Sequence, residues 1–205
     1  MTITLLHSAE AHRATFDALR DRIAPGVALV HIVRPDFLER AQSGIDDVLA
    51  DEIIGVVSRG FGPVLCTCTT IGPVAAQAGA LRIDWPMMQA AARRGGPVLL
   101  VCCLDSTRTP SLDLLATALH EAGNPGPVQI LLLSDLWPLF TSGQTDDFHR
   151  AITGVIRTAA AQPSDVKCVI LAQASMAGAA PLLDDLGIPV LASPESALRA
   201  ALARL

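Results

Sequence analysis

Tyrosine is absent from this chain, and aromatic residues make up only 3% of it. Stacking platforms for single-stranded nucleic acid are therefore scarce. Basic residues are scattered and the net charge is −5, so no positive stripe exists to follow a phosphate backbone. Lysine occurs once, as Lys167, and no Gly-x-x-x-x-Gly-Lys-Ser/Thr loop is present, which argues against ATP hydrolysis and Schiff-base chemistry. Long apolar runs are missing too: stretches such as Pro97 to Leu104 and Ile130 to Leu133 fall far short of the roughly 20 residues a bilayer span needs. The start, Met1-Thr2-Ile3-Thr4-Leu5-Leu6-His7-Ser8, has no Lys or Arg ahead of its apolar residues, so the expected compartment is the cytoplasm.

Metal-ligand spacing is also lacking. The five histidines (His7, His12, His31, His120, His149) form no pair of the usual kind, and no second pair completes a set with Cys66-x-Cys68. Five cysteines, two of them adjacent at Cys102 and Cys103, do not make a secreted disulfide framework and read as reduced thiols. Gly60-Phe61-Gly62 precedes a strand instead of following one into a helix, so it reads as a turn and not as a dinucleotide fingerprint. No Gly-x-Ser-x-Gly elbow appears.

What is present is a chain of 205 residues, 51% hydrophobic and 17% charged, enough for one substantial core or two smaller ones. Aliphatic and β-branched runs at 2–6, 27–33, 64–67, 98–103, 128–133, 168–172 and 190–192 lack polar alternation, as strands of a parallel sheet covered on both faces do. Between them, 9–22, 112–122, 146–161 and 194–205 have helical spacing. Asp84-Trp85-Pro86 reads as an N-cap followed by an early helical proline, and Gly123-Asn124-Pro125-Gly126-Pro127 as a helix stop. The class is α/β. A boundary at Gly95-Gly96-Pro97 gives a first lobe of 1–95, onto which the 194–205 helix can pack back, and a second of 96–193; a single open sheet of all seven strands is the alternative.

Two segments stand half a chain apart: Val64-Leu65-Cys66-Thr67-Cys68-Thr69-Thr70-Ile71-Gly72 and Val169-Ile170-Leu171-Ala172-Gln173-Ala174-Ser175-Met176-Ala177. In register, Cys68 falls opposite Gln173, Thr69 opposite Ala174 and Thr70 opposite Ser175, as if two similar halves each deliver one strand end to a shared cleft. A thiol ahead of a helix start is biased towards thiolate, and Thr69 and Thr70 offer hydroxyls and N–H groups to a carboxylate. Cys68 is thus expected to be solvent-reachable, while Cys66, Cys102, Cys103 and Cys168 are expected in the core. His7 and Ser8, at the end of the first strand, and Thr107 are further candidates for substrate contact, with a helix N-cap as the other reading of Thr107. Arg34 and Asp36 are rim candidates, and Asp84 is read as a cap.

The segment Leu65-Cys66-Thr67-Cys68-Thr69-Thr70-Ile71-Gly72-Pro73 resembles the first cysteine motif of the aspartate/glutamate racemase superfamily. Ile170 to Ala177 resembles the second motif in its hydantoin-racemase branch, where Gly-Cys-Ala-Gly-Met is usual. Leu5-Leu6-His7-Ser8, Ile83-Asp84-Trp85-Pro86-Met87 and Ile188-Pro189-Val190-Leu191 extend the similarity over most of the chain. The resemblance implies two pseudo-symmetric lobes, each a parallel sheet flanked by helices, with the active site between them. It also implies no cofactor and a small carboxylate held by small polar residues; that no metal is expected follows from the missing ligand spacing. Gln173 departs from the pattern: it stands where the second catalytic cysteine is usual, and an amide transfers no proton at useful pKa. Arylmalonate decarboxylase, a relative with one cysteine at the second position, shows that a single thiol suffices where only one proton is installed.

The expectation is therefore a one-thiol racemase, isomerase or decarboxylase working through a carbanion or enediolate. Within enzymes, His7 or Asp36 could serve as a different second base. A small-carboxylate-binding or regulatory protein that has lost turnover is the non-enzymatic alternative, and a nucleotide binder is disfavoured by the missing phosphate loop. Neither nucleic acid nor membrane is an expected partner, and the sequence leaves a homo-oligomer open.

Overall fold

The computed structural model describes residues 1–160 and 165–205. In chain order its elements are β1 (Thr2–His7), α1 (Ala11–Ile23), β2 (Ala28–Val33), α2 (Pro35–Ala41), α3 (Asp47–Ser58), β3 (Val64–Cys66), α4 (Gly72–Gln77), β4 (Leu81–Arg82) and α5 (Trp85–Arg94). There follow β5 (Val98–Cys102), α6 (Asp105–Glu121), β6 (Val128–Leu132), α7 (Trp137–Thr141), α8 (Thr145–Ala160), β7 (Cys168–Leu171), β8 (Val190–Ala192) and α9 (Ser193–Leu202). A short 3-10 helix covers Ala174–Ala179, between β7 and β8.

Every strand pairs in parallel, and the strands form two sheets of the same order, β2-β1-β3-β4 and β6-β5-β7-β8. The single open sheet is thereby excluded. All seven strands read from the sequence are present; the eighth, β4, is two residues long and too short for a periodicity to announce. Two compact units divide the chain, Met1–Pro86 with Pro194–Leu205, and Met87–Ser193.

The central strands meet the expectation of cover on both faces: β5 and β7 are buried throughout. The edge strands do not. Along β2 and β6 no residue is fully buried, and Val30, Ile130 and Leu132 are exposed. An uninterrupted apolar run thus overstates cover at an edge, where helices protect only part of the surface.

α8 shows how a helix finds its place. Its apolar residues Phe148, Ile152 and Ile156 recur at helical spacing and bury against Val169, Leu171 and Met176. The helical stretch read to Ala161 is seen to Ala160, and Ala161 lies outside the described residues. α6 starts at Asp105, seven residues ahead of the expected stretch, and carries Pro110 inside its second turn. Gly62 closes the turn before β3 with φ of 67°, and a Cβ there would run into the Thr2 carbonyl oxygen, so only glycine fits.

Candidate functional site

In the first unit, β3 ends at Cys66 and α4 begins at Gly72, leaving Thr67 to Ile71 as the strand-to-helix turn. Cys68 stands two residues past the strand end. Its sulfur faces the Ser8 hydroxyl and the backbone N–H groups of Ile71 and Thr70, all of which favour thiolate, but burial outweighs them and pushes the thiol up from its ordinary pKa. Two expectations are corrected here. Cys68 is 6% exposed against 0% for the other four cysteines, so it is the least buried thiol and still an interior one. The thiolate bias is reversed as well, because the loss of hydration exceeds the help of the nearby donors. Burial likewise raises Cys102 to about 11 and Cys103 to about 12.

Beside this turn lies a pair the sequence reading missed. Arg82 and Asp84 make a bidentate ion pair, Nε to Oδ1 at 3.0 Å and Nη2 to Oδ2 at 2.7 Å, with Asp84 fully buried. The Asp84 side chain thus serves Arg82 from the position directly before α5. The negative charge of Asp84 also adds to the rise of both the Cys66 and the Cys68 thiols. Arg82 packs close to Gly72 at the start of α4, where an added Cβ would come 3.1 Å from its Nε.

His7 ends β1, and the register lines it up with β2 and β3. Leu5 pairs with His31 and Leu6 with Cys66, so His7, His31 and Thr67 fall on one face of neighbouring strands. His7 Nδ1 lies 2.8 Å from Thr67 Oγ1 and its Nε2 lies 2.8 Å from His31 Nδ1. Both ring nitrogens are engaged within the protein and the residue is fully buried, so none remains for a substrate carboxylate. Burial first, then the neighbouring His12, His31 and Arg13, holds His7 down to about 3.

The remaining candidates fall as follows. Ser8, Thr69 and Thr70 are all more than nine-tenths buried. Thr107 is 1% exposed and lies within the first turn of α6, whose N-cap is Leu104, so the N-cap reading of Thr107 does not hold. Arg34 grips Asp36 through two bonds of 2.8 and 2.6 Å and reaches Glu52 at 3.1 Å while stacking on Phe37, and the Arg34 bonds keep Asp36 ionised.

In the second unit, β7 ends at Leu171 and Gln173 again stands two residues beyond, as N-cap of the 3-10 helix. β7 occupies in its sheet the place of β3 in the other, between the first strand and the last. Gln173 Oε1 accepts from the Cys103 N–H, which directs the amide NH2 elsewhere as a donor. Ser175 is 7% exposed, and its Oγ has no hydrogen-bond partner. Its carbonyl accepts from His149 Nε2 at 2.9 Å, and the His149 ring lies so close to Gly178 that any Cβ there would overlap it.

No three His, Cys, Asp or Glu side chains group as a metal set among the described residues. A surface hollow of about 580 Å³ beside α2 and α3, lined by Arg40, Ser43, Gly44, Ile45, Asp46 and Leu49, shares no residue with the strand ends. No described helix is long and apolar enough to cross a membrane.

These features define a two-unit parallel α/β protein in which each sheet carries small polar side chains just beyond its third-placed strand. Comparison with solved structures gives the fold a more particular relation. A glutamate racemase from Bacillus anthracis superposes with a TM-score of 0.72 at 15% identity, over 98% of this chain and 80% of that one. Allantoin racemase from Klebsiella pneumoniae gives 0.63 at 15% identity, over 99% and 86%. Unliganded arylmalonate decarboxylase gives 0.52 at 15%, over 99% and 91%. At these identities the likeness is one of fold. No protein-family model and no curated protein sequence matches the chain.

Proposed function

We propose that the chain is a cofactor-independent enzyme acting on a small carboxylate through a carbanion or enediolate, with Cys68 as its single acid/base. The observation that carries this reading is the set of donors around Cys68, namely the Ser8 hydroxyl and the amides of Thr70 and Ile71, in a fold shared with racemases and a decarboxylase. Those donors stabilise a thiolate after it forms, while burial keeps the resting sulfur protonated. A protonated thiol suits delivery of a proton to carbon. In a decarboxylation, the bond to the leaving carboxylate breaks, its electron pair stays on the α-carbon as an enediolate, and the Cys68 S–H supplies the one proton needed. Solvent then reprotonates the sulfur.

In this reading Ser8, Thr69 and Thr70, around Cys68 in the first unit, hold the carboxylate, and Gln173, Ser175 and Thr107 are the candidate donors of the second unit. The Cys103 bond to the Gln173 oxygen, which leaves the amide NH2 as the donor side, and the unpartnered Ser175 hydroxyl support the Gln173 and Ser175 assignments. The substrate is a small carboxylic acid with an acidic or carboxylated α-carbon.

The test is incubation of small α-substituted and malonate-type acids in deuterated solvent. Deuterium installed at the α-carbon, reduced at least about 100-fold by Cys68→Ala, is the expected result. Gln173→Cys restores the thiol usual in the family pattern, and racemisation of an α-substituted acid should then rise. Acids that bind without exchange or release of carbon dioxide would return the protein to the alternative of a non-catalytic carboxylate-binding protein.

A further inference from the structure

Four side chains form an unbroken line across the first sheet, from Thr67 on the turn after β3, through His7 on β1 and His31 on β2, to Asp17 on α1. His31 Nε2 lies 3.3 Å from Asp17 Oδ1, and the two imidazoles face each other at 2.8 Å with planes 19° apart. The line runs from a buried end to a wet one: Thr67 is 2% exposed, whereas the Asp17 side chain is 45% exposed. Two imidazole nitrogens at 2.8 Å must share one proton, so the state of each ring fixes the state of the next.

With Asp17 ionised beside Arg20 at 3.4 Å, the carboxylate only accepts, so His31 carries its proton on Nε2. Neutral His31 then has a bare Nδ1, His7 must carry its proton on Nε2, and Thr67 donates its hydroxyl to His7 Nδ1. A second arrangement satisfies every group equally well when one proton is added. His31 becomes a cation paired with Asp17, its new Nδ1–H points at His7 Nε2, and His7 moves its own proton to Nδ1. Thr67 Oγ1 now accepts from His7 and turns its hydrogen to the Leu6 carbonyl, which waits at 3.1 Å.

We propose that Asp17, His31, His7 and Thr67 constitute a one-proton storage relay, in which a proton taken from solvent onto His31 inverts the tautomer of His7 and re-aims the Thr67 hydroxyl next to Cys68. Between the two arrangements one proton is added in all: His31 gains Nδ1–H beside its Nε2–H, His7 exchanges Nε2–H for Nδ1–H, and the positive charge rests on His31 against Asp17. The groups facing His7 from α1 are His12, with its ring centroid 6.1 Å away, Arg13, and apolar Phe16. Arg13 and burial disfavour charge on His7, which leaves the cation to His31. Where the line ends, the strand tips of β1 and β3 carry Ser8 and Cys68, so the relay is a positioning device for the thiol. Only that last bearing rests on the function proposed above; the relay itself does not.

The experiment is two-bond proton–nitrogen NMR of the full chain with nitrogen-15 in its histidines, followed against pH without any substrate. At alkaline pH both His7 and His31 should show the Nε2–H tautomer. On acidification His31 should gain its second N–H while His7, still neutral, switches to Nδ1–H with the same midpoint. Asp17→Asn removes the anion that steadies the cation and should lower that common midpoint by about one pH unit or more. A His7 that keeps one tautomer while His31 titrates, or that changes at a separate midpoint, overturns the relay, as does an Asp17→Asn variant with an unmoved midpoint. Because no turnover is measured, failure of the relay and failure of the Cys68 chemistry are read separately.

Discussion

Cys68 carries a proton when at rest, and this sets the direction of its pH dependence. A thiol raised by burial stays protonated through neutral pH, so a step in which it gives its proton to carbon should run at a level rate there and decline at alkaline pH as the thiol ionises. A step using the thiolate as base would rise with pH instead, and a rate profile from pH 6 upwards distinguishes the two. His7 and His12, held down to about 3 and about 4 from an unfolded value of 6.5, act on stability. The folded state takes up fewer protons than the unfolded one, so stability is full above about pH 6.5 and falls as pH drops towards 4. Each histidine contributes a slope of up to about 1.4 kcal/mol per pH unit, and His12→Gln should remove its share in urea titrations between pH 6.5 and 4.5. The Arg82–Asp84 pair is the third residue-level lever. Arg82→Met leaves Asp84 fully buried without its counter-ion and should cost about 3–5 kcal/mol in chemical denaturation. Much of this was hidden from the sequence. Cys68 could be singled out because a strand-end thiol beside two hydroxyls is visible in order, but His7 and His31 stand 24 positions apart and meet only through the register of β1 on β2. Its exposure could not be read either, since that depends on what packs over the turn.

Among the elements, the strands were the most legible and their ends the least. β7 reads as a buried strand in any account of Cys168 to Leu171, yet the 3-10 helix after it depends on a fit no periodicity reveals. His149 on α8 needs the bare Cα of Gly178 to reach the Ser175 carbonyl. Gly178→Ala must push the ring aside, and we expect loss of the His149 bond, a displaced Ser175 and destabilisation of about 1–3 kcal/mol, measurable by denaturation and by the His149 nitrogen shifts. α6 starts seven residues ahead of its expected stretch even though Pro110, in its second turn, lacks the N–H that would donate to the Ser106 carbonyl. Edge strands β2 and β6 misled in the opposite direction: their residues have the composition of a covered strand and half the cover.

At the scale of the molecule, the equal strand orders of the two sheets were foreshadowed by two matching segments half a chain apart, and the parallel α/β class by the run of strands and helices. What order along the chain could not supply was the small β4, whose two residues complete the first sheet and bring Arg82 to the Cys68 turn. The first unit is also discontinuous, with its β-sheet in Met1–Pro86 and its last helix in Pro194–Leu205. Ala197, Leu198 and Ala201 of that helix are fully buried, and Glu195 holds Arg22 of α1 at 2.7 Å. This arrangement has a consequence for synthesis. As the polypeptide leaves the ribosome, the strands that will carry Ser8 and Cys68 emerge first, yet the surface meant for α9 stays bare while the whole of the second unit is made. The second unit, continuous in the chain, can close on itself as it appears; the first must wait. Nascent chains arrested before Pro194 should therefore show a protease-resistant second unit beside a first unit that is still readily cut, and a chaperone that shields apolar surface should be held until the final helix arrives.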